Sequence, residues 1–279
     1  MNPMPTPLLP PDAPPHFGLL VIGDEILSGK RADKHLPKVI ELLKARGLQL
    51  DYAEYVGDAP DRITAMLQRA FASGDVVFST GGIGATPDDH TRQCAAQALG
   101  VPLLLHPQAK ELIEQRMHEL AREKGKVFDP AAPDSRHRLN MGVFPQGADI
   151  IPNPYNKIPG FSCARVHFVP GFPVMATPMI EWVLDTCYHG YFQVQAWVEQ
   201  SVIVFNAMEA TLTPLMEQIE SEHPAVKVFS LPSVDHPEFG RHIELGVKGD
   251  PVAVAAAYTA LLAGLTRFPL KLGPELVRN

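Results

Sequence analysis

Two apolar runs that end in glycine constrain this chain more than any other feature. Phe17-Gly18-Leu19-Leu20-Val21-Ile22-Gly23 and Asp75-Val76-Val77-Phe78-Ser79-Thr80, which feeds Gly81 and Gly82, are near-continuous rather than alternating. A strand that is apolar on both sides must be covered on both sides, as in a parallel sheet packed between helices. The intervening segments supply the helices. Leu36, Val39, Ile40, Leu42 and Leu43 recur at helical spacing before Gly47, and Ile63, Met66, Leu67, Ala70 and Phe71 make one stripe within Pro60 to Ala72. With Leu48 to Val56 as a strand between them, the order is β-α-β-α-β. Thr91 to Leu99, Pro107 to Lys124 and Met175 to about Tyr188 read as helices, and Val166 to Val169 as another buried strand. This alternation predicts an α/β fold, a three-layer α/β/α sandwich with a mostly parallel sheet.

The texture changes near residue 192. Val194 to Phe205, Val226 to Leu231 and His242 to Lys248 read as strands, and Glu209 to Glu222 and Val252 to Leu265 as helices. That predicts a small α+β domain of β-α-β-β-α order over residues 192–268, followed by a C-terminal tail at 269–279. The alternation of Val198 to Phe205 is compatible with an edge strand that pairs across a subunit interface and equally with an interior strand, and a homo-oligomer is expected. Residues 1–15 hold seven prolines and predict an extended, poorly ordered arm, leaving 16–191 as the main domain. The long proline-bearing stretch from Pro130 to Pro173 reads as irregular, a kind of region that compact domains keep for function.

Composition excludes several classes. With 46% hydrophobic and 20% charged residues the chain folds rather than staying disordered. A net charge of -7 argues against a broad nucleic-acid footprint, which needs clustered Lys and Arg. No apolar run approaches the roughly 20 residues that span a bilayer, and the N-terminus lacks the plan of a signal peptide. Cys94, Cys163 and Cys187 follow no metal-ligand spacing. A reduced, cytoplasmic chain without a membrane partner is expected.

The chemistry concentrates where strands end. In open α/β sheets ligands bind beyond the carboxyl ends of strands, and glycines let backbone amides reach a phosphate. Thr80-Gly81-Gly82-Ile83-Gly84-Ala85-Thr86-Pro87-Asp88-Asp89-His90-Thr91 fits that placement. Two adjacent carboxylates would repel a phosphate unless a cation lay between, which points to Mg²⁺ on Asp88 and Asp89. A tight turn with Asp88 or Asp89 as helix cap is the alternative. The loop is neither a Walker loop nor the dinucleotide fingerprint. Gly23-Asp24-Glu25-Ile26-Leu27-Ser28-Gly29 closes the first strand, placing Asp24 and Glu25 at the mouth of the same sheet or as caps. His90 and His35 are candidate acid/base groups or solvated side chains. Arg136, His137 and Arg138 could reach a phosphate or form a solvated face, and Cys94 falls on an apolar helix face.

Together these two motifs resemble the molybdopterin-binding domain shared by MoaB and Mog proteins, the N-terminal region of CinA (competence/damage-inducible) proteins and eukaryotic FAD synthases. Phe144-Pro145-Gln146-Gly147-Ala148 to Asn153, Pro159-Gly160-Phe161 and Val169-Pro170-Gly171-Phe172-Pro173 then follow in the order of the CinA branch. The resemblance covers about residues 16–190, and the CinA branch's C-terminal nicotinamide-nucleotide amidase domain is expected to be absent. It implies a small-molecule, phosphate-containing ligand, molybdopterin or a nucleotide. Thr80, Gly81, Gly82, Gly84 and Thr86 would cradle phosphate, with Gly23, Pro170 and Gly171 beside them. Asp88 or Asp89 would hold Mg²⁺, and Asp24 and Glu25 would line the opposite wall as further catalytic groups. The implied activity is a metal-dependent pyrophosphatase of the ADP-ribose type; a non-catalytic binding or scaffold protein is the alternative, and a molybdopterin adenylyltransferase the third. Departures from the family pattern are Ala85, the stretch Asp33-Lys34-His35, Asn156-Lys157-Ile158 and Met175. Met175 stands where an acid is usual, and Lys157 is expected to alter the charge of the cleft.

Overall fold

The computed structural model describes residues 15–125, 127–130, 133–192 and 197–278. The arm expected at 1–15 lies, but for its last residue, outside them. The chain divides into two compact units, Met1–Phe192 and Gln193–Asn279. The first runs β1 (Phe17–Ile22), α1 (Asp24–Leu27), α2 (His35–Lys44), β2 (Tyr52–Val56), α3 (Pro60–Ser73), β3 (Val76–Thr80), α4 (Thr91–Leu99), β4 (Leu103–Leu105), α5 (Pro107–Glu123), α6 (Pro133–Leu139), β5 (Val143–Pro145), β6 (Asp149–Ile151), β7 (Gly160–Cys163), β8 (Val166–Val169) and α7 (Pro173–Cys187).

Its main sheet has the order β2-β1-β3-β8-β7-β6. The first four strands are parallel, and β7 runs antiparallel to β8 and β6. The sequence alternation becomes two cores. Leu19, Val21, Val76 and Phe78 face Val39 and Leu43 of α2 and Met179 and Val183 of α7. Leu20, Ile22, Val77 and Phe168 pack with Ile63 and Leu67 of α3 and Cys94 of α4. Neighbouring residues of one strand thus serve opposite layers, and each fully buried large side chain contributes roughly 1.5–3 kcal/mol. The three-layer α/β/α fold is the one that the strand pattern requires.

The stretch from Pro130 to Pro173 is not irregular as expected. Besides the expected strand β8, its described residues carry α6 and β5 to β7, with β5 paired antiparallel to β4. Strands of three or four residues complete too few repeats to show a period, and the prolines fall mostly at their ends.

The second unit runs β9 (Val198–Phe205), α8 (Glu209–Glu222), β10 (Val226–His236), β11 (Gly240–Gly249), α9 (Pro251–Leu265) and β12 (Lys271–Arg278). Its sheet has the order β10-β11-β9-β12 and is antiparallel throughout. Val202, Val204, Ile243, Leu245 and Val247 pack against Leu212, Leu215 and Ile219 of α8 and Val254, Ala257 and Leu261 of α9. Asp250 caps α9 by accepting from the amides of Val252 and Ala253 at 2.9 and 3.2 Å.

One expectation is corrected here and one open alternative is decided. Residues 271–278 of the expected tail form an edge strand, and β9 is interior, between β11 and β12. Gly273 and Pro274 obscured the tail strand; they sit in a register shift between Leu272 and Glu275, the place where an edge strand tolerates a proline. The strand is tied down by charge. Arg278 pairs with the largely buried Glu244, which also accepts from Ser201 Oγ at 2.7 Å.

Arg278, followed by Ser201, holds the Glu244 carboxyl below its ordinary value against the opposing effect of burial. The contribution of this clip is complete above the ordinary carboxylate value and is lost as pH falls through the lowered one. Arg278→Met is expected to cost about 1–3 kcal/mol at neutral pH and to flatten the acid side of the stability profile. Denaturant melts between pH 3 and pH 7 (a window set by ordinary carboxylate values, about 4) check this.

Candidate functional site

Thr80 of β3 pairs with Val21 of β1 and Val169 of β8, so Gly23, Gly81 and Pro170 leave the sheet along one edge. Gly81 passes between its neighbours at close range. Its amide donates to Val169 O at 3.1 Å, its φ is +98°, and a Cβ there would collide with the Ile22 carbonyl oxygen. Gly82, at φ +67°, has no room for a Cβ beside the Thr91 hydroxyl. Thr91 then locks the turn to α4, donating its amide to Gly82 O at 3.0 Å and its hydroxyl to Gly81 O at 3.1 Å. Gly171 stands against the Cα of Gly81, bringing the β8–α7 loop onto the glycine loop.

The opposite wall starts from β1 and β2. The amide of Gly23 donates to Val56 O at 3.0 Å, and Glu25 folds back over Gly23. Asp24 N donates to Asp58 Oδ2 at 2.9 Å, and Asp58 N to Asp24 Oδ1 at 3.2 Å. Partial burial, and then the charges of Asp24, Glu25 and Asp88, push the Asp58 carboxyl above its ordinary value. The acidic residues of the two motifs therefore act on one point. The sequence reading missed Asp58; its signal was Gly57-Asp58 at the end of a strand, the same pattern as Gly23-Asp24. Among the described residues no group of three or more His, Cys, Asp or Glu side chains is placed to hold a metal ion by itself.

The paired aspartates differ in what they do. Asp89 Oδ2 accepts from the Thr86 amide at 2.8 Å and the Thr86 hydroxyl at 2.6 Å, and its carboxylate lies against Gly84. It also faces Arg92, a buried residue that donates to Ile83 O and whose guanidinium burial makes harder to charge. Asp89 and Thr86 thus shape the loop, whereas the cap position of α4 falls on His90, with no side-chain cap hydrogen bond from either aspartate. Asp88 is exposed, its carboxyl held low by the neighbouring Thr86 hydroxyl and by its own amide. Arg92 had no sequence signal beyond its place in a helix.

Other expectations resolve differently. The Thr80 hydroxyl is buried and donates to Leu20 O at 3.3 Å, so it stitches β3 to β1 instead of facing the cleft. The strand alternation that buries it was visible only with the register known. His35 is a buried tether, not a solvated or acid/base group: burial lowers its basicity, and its Nε2 donates to Gly171 O at 3.1 Å. Asp33 accepts from the amides of His35 and Leu36, so the departure at 33–35 fastens the start of α2 to the site. His90 sits half-buried at the N-terminal end of α4. Cys94 is core, donating to Pro60 O. Lys157 does not charge the cleft, because its ammonium pairs with Glu119 of α5. Met175 is half-buried, its sulfur 3.6 Å from Asn156 Nδ2. Arg136, His137 and Arg138 form the last turn of α6, where cations complement the helix dipole.

Gly81→Ala is expected to lose about 2 kcal/mol or more, since it adds both a clash and a disfavoured φ. Ala at Gly147, also at positive φ but with open space around it, is expected to cost about 1 kcal/mol. Equal melting shifts for the two variants would contradict the close passage described for Gly81.

The family described as a probable molybdopterin binding domain matches residues 18–189. A CinA-like protein of Anaeromyxobacter sp. (strain K) is 34% identical over 171 residues, 60% of this chain and 40% of its own length. The chain thus spans well under half of that relative. A protein of Pyrobaculum calidifontis is 26% identical over 250 residues, covering 87% of this chain and 92% of its own. The crystal structure of the CinA protein with unknown function from Thermoplasma acidophilum superposes with a TM-score of 0.52 at 25% identity, over 61% of this chain and 97% of that one. With the family matched over most of the first unit, the chain belongs to the molybdopterin-binding domain family.

Proposed function

We propose that the first unit binds a phosphate-containing ligand, molybdopterin or a nucleotide, and cleaves a phosphoanhydride of the ADP-ribose type with the help of a divalent cation. One observation carries the reading: the glycine loop and the carboxylates of Asp24, Glu25, Asp58 and Asp88 gather at the same end of the sheet. The amides of Gly82 and Gly84 and the start of α4 are suited to hold phosphate oxygens. Hard carboxylate oxygens on several sides suit Mg²⁺, which takes one or two carboxylates and completes its shell with phosphate and water. Burial, and then the neighbouring carboxylates, raise Asp58, and such a cation offsets both. Asp88, exposed at the rim of the loop, and Asp24 or Asp58 would hold it. The cation, when bound, supplies charge neutralisation on the diphosphate. The chain's own part is positional. Thr91 and Asp89 fix the loop, His35 fixes Gly171 against it, and Asp24 and Asp58 fix each other within the opposite wall.

A second reading, a binder without turnover, draws on Met175, a half-buried thioether where the family pattern has an acid. Both are tested by incubating the purified chain with ADP-ribose, FAD, ATP and a molybdopterin source, with and without Mg²⁺. The hydrolase reading expects metal-dependent release of AMP, lowered at least about tenfold by Asp88→Asn and Asp58→Asn. Asp89→Asn is expected to lower the melting temperature as well as activity. Stabilisation by a ligand without turnover would establish the binder, and transfer of AMP from ATP to molybdopterin the adenylyltransferase.

A further inference from the structure

A second concave site lies in the first unit, outside the cleft just described. A cavity of about 320 Å³ opens between α5, the β6–β7 loop and α7. Leu112, Pro152, Pro154, Pro178 and Trp182 form its walls, and Asn153 and Lys157 complete the lining. None of these residues belongs to the glycine loop, the acidic wall or the Pro170–Gly171 turn. The volume falls at the lower end of the range that small-molecule sites occupy.

The loop forming one wall is fixed by hydrogen bonds among its own residues. Lys157 holds a left-handed φ of 64°, which a non-glycine side chain keeps only where its surroundings over-determine it, a situation that clusters at ligand clamps. Here the surroundings are the buried Asn153 and its neighbours. Asn153 Nδ2 donates to Asn156 Oδ1 at 2.8 Å and Ile158 O at 2.9 Å, and its Oδ1 accepts from Tyr155 N at 3.0 Å. Lys157 N donates to Asn153 O at 2.9 Å, and Ile158 N to Asn156 Oδ1 at 3.0 Å. Asn153 therefore spends its amide on the loop and leaves Lys157 as the cavity's charged group.

The chemistry of the lining selects a ligand class. Pyrrolidine rings and an indole offer flat apolar surface, which a planar ring covers with the most contact. Lys157 Nζ pairs with Glu119, but an ammonium has three donors, and Glu119 is also approached by Arg116 at 3.5 Å. Lys157 thus keeps donors for an anion at the side of an otherwise apolar cavity. We infer that this cavity binds a planar aromatic or heteroaromatic ring bearing one carboxylate, the ring against Trp182 and the prolines and the carboxylate on Lys157.

Trp182 and Trp197 are the chain's two tryptophans, so the full-length Trp197→Phe chain reports Trp182 fluorescence alone. In that background 4-nitrobenzoate is expected to quench saturably, 4-nitrobenzamide to bind about fivefold more weakly for want of the ion pair, and acetate to leave the signal unchanged. Lys157→Gln is expected to erase the difference between acid and amide. Glu119→Gln, which frees the ammonium without touching the cavity wall, is expected to tighten the acid at least about twofold; it stands as the test if Lys157→Gln fails to fold. Linear, unsaturated quenching up to about 10 mM, beyond weak-ligand affinities, would overturn the inference. So would an affinity indifferent both to the ligand's charge and to residue 119.

Discussion

The cleft depends on the passage of Gly81 between the ends of β1 and β8. Its amide is bonded to Val169 O and its Cα leaves no space for a side chain beside Ile22 O, so β3 can leave the sheet only as glycine and only in a left-handed turn. Thr91 returns to the carbonyls of Gly81 and Gly82 and fixes where α4 begins. Gly171 packs on the same Cα, and His35 holds Gly171 from α2. Four elements, β1, β8, α4 and α2, are thereby referenced to one residue. Sites held on such rigid elements keep the geometry that binding and catalysis need.

Against this frame stands a concentration of negative charge. Asp24 and Asp58 each donate a backbone amide to the other's carboxylate, and Glu25 and Asp88 act on Asp58 from either motif. Burying part of a carboxylate near three others is unfavourable unless a cation or proton compensates. The chain instead uses cations elsewhere for structure. Arg92 sits beneath the glycine loop facing Asp89, Lys157 meets Glu119, and Arg278 meets Glu244. The contrast between carboxylates with structural partners and those of the cleft separates scaffold from site.

Much of this was legible in the sequence because the fold is written in two periods. Continuous apolar strands closing on glycine required a double-covered parallel sheet, and the spacing of Leu36 to Leu43 and Ile63 to Phe71 required the helices that cover it. The ends of β1 and β3 gave Asp24, Glu25 and the glycine loop together. What stayed hidden depended on pairing. Which of Asp88 and Asp89 turns inward, whether Thr80 faces the cleft, and where Lys157 sends its ammonium are decided by register and by neighbours far away in sequence. Asp58 was missed because β2 alternates weakly and its end drew no notice. Strands β4 to β7, and β12 with its Gly273-Pro274 irregularity, are too short or too interrupted for periodicity to show.

The most direct test of the central claim is a ¹⁵N NMR titration of the full chain with ADP-ribose, with and without Mg²⁺, following the amides of Gly81, Gly82 and Gly84. If the glycine loop takes the phosphates and the facing carboxylates share a cation with them, the Gly82 and Gly84 amides shift saturably and Mg²⁺ tightens the binding, an effect that Asp88→Asn and Asp58→Asn weaken. Shifts confined to other parts of the chain, or an affinity that ignores Mg²⁺ and both substitutions, would contradict the account.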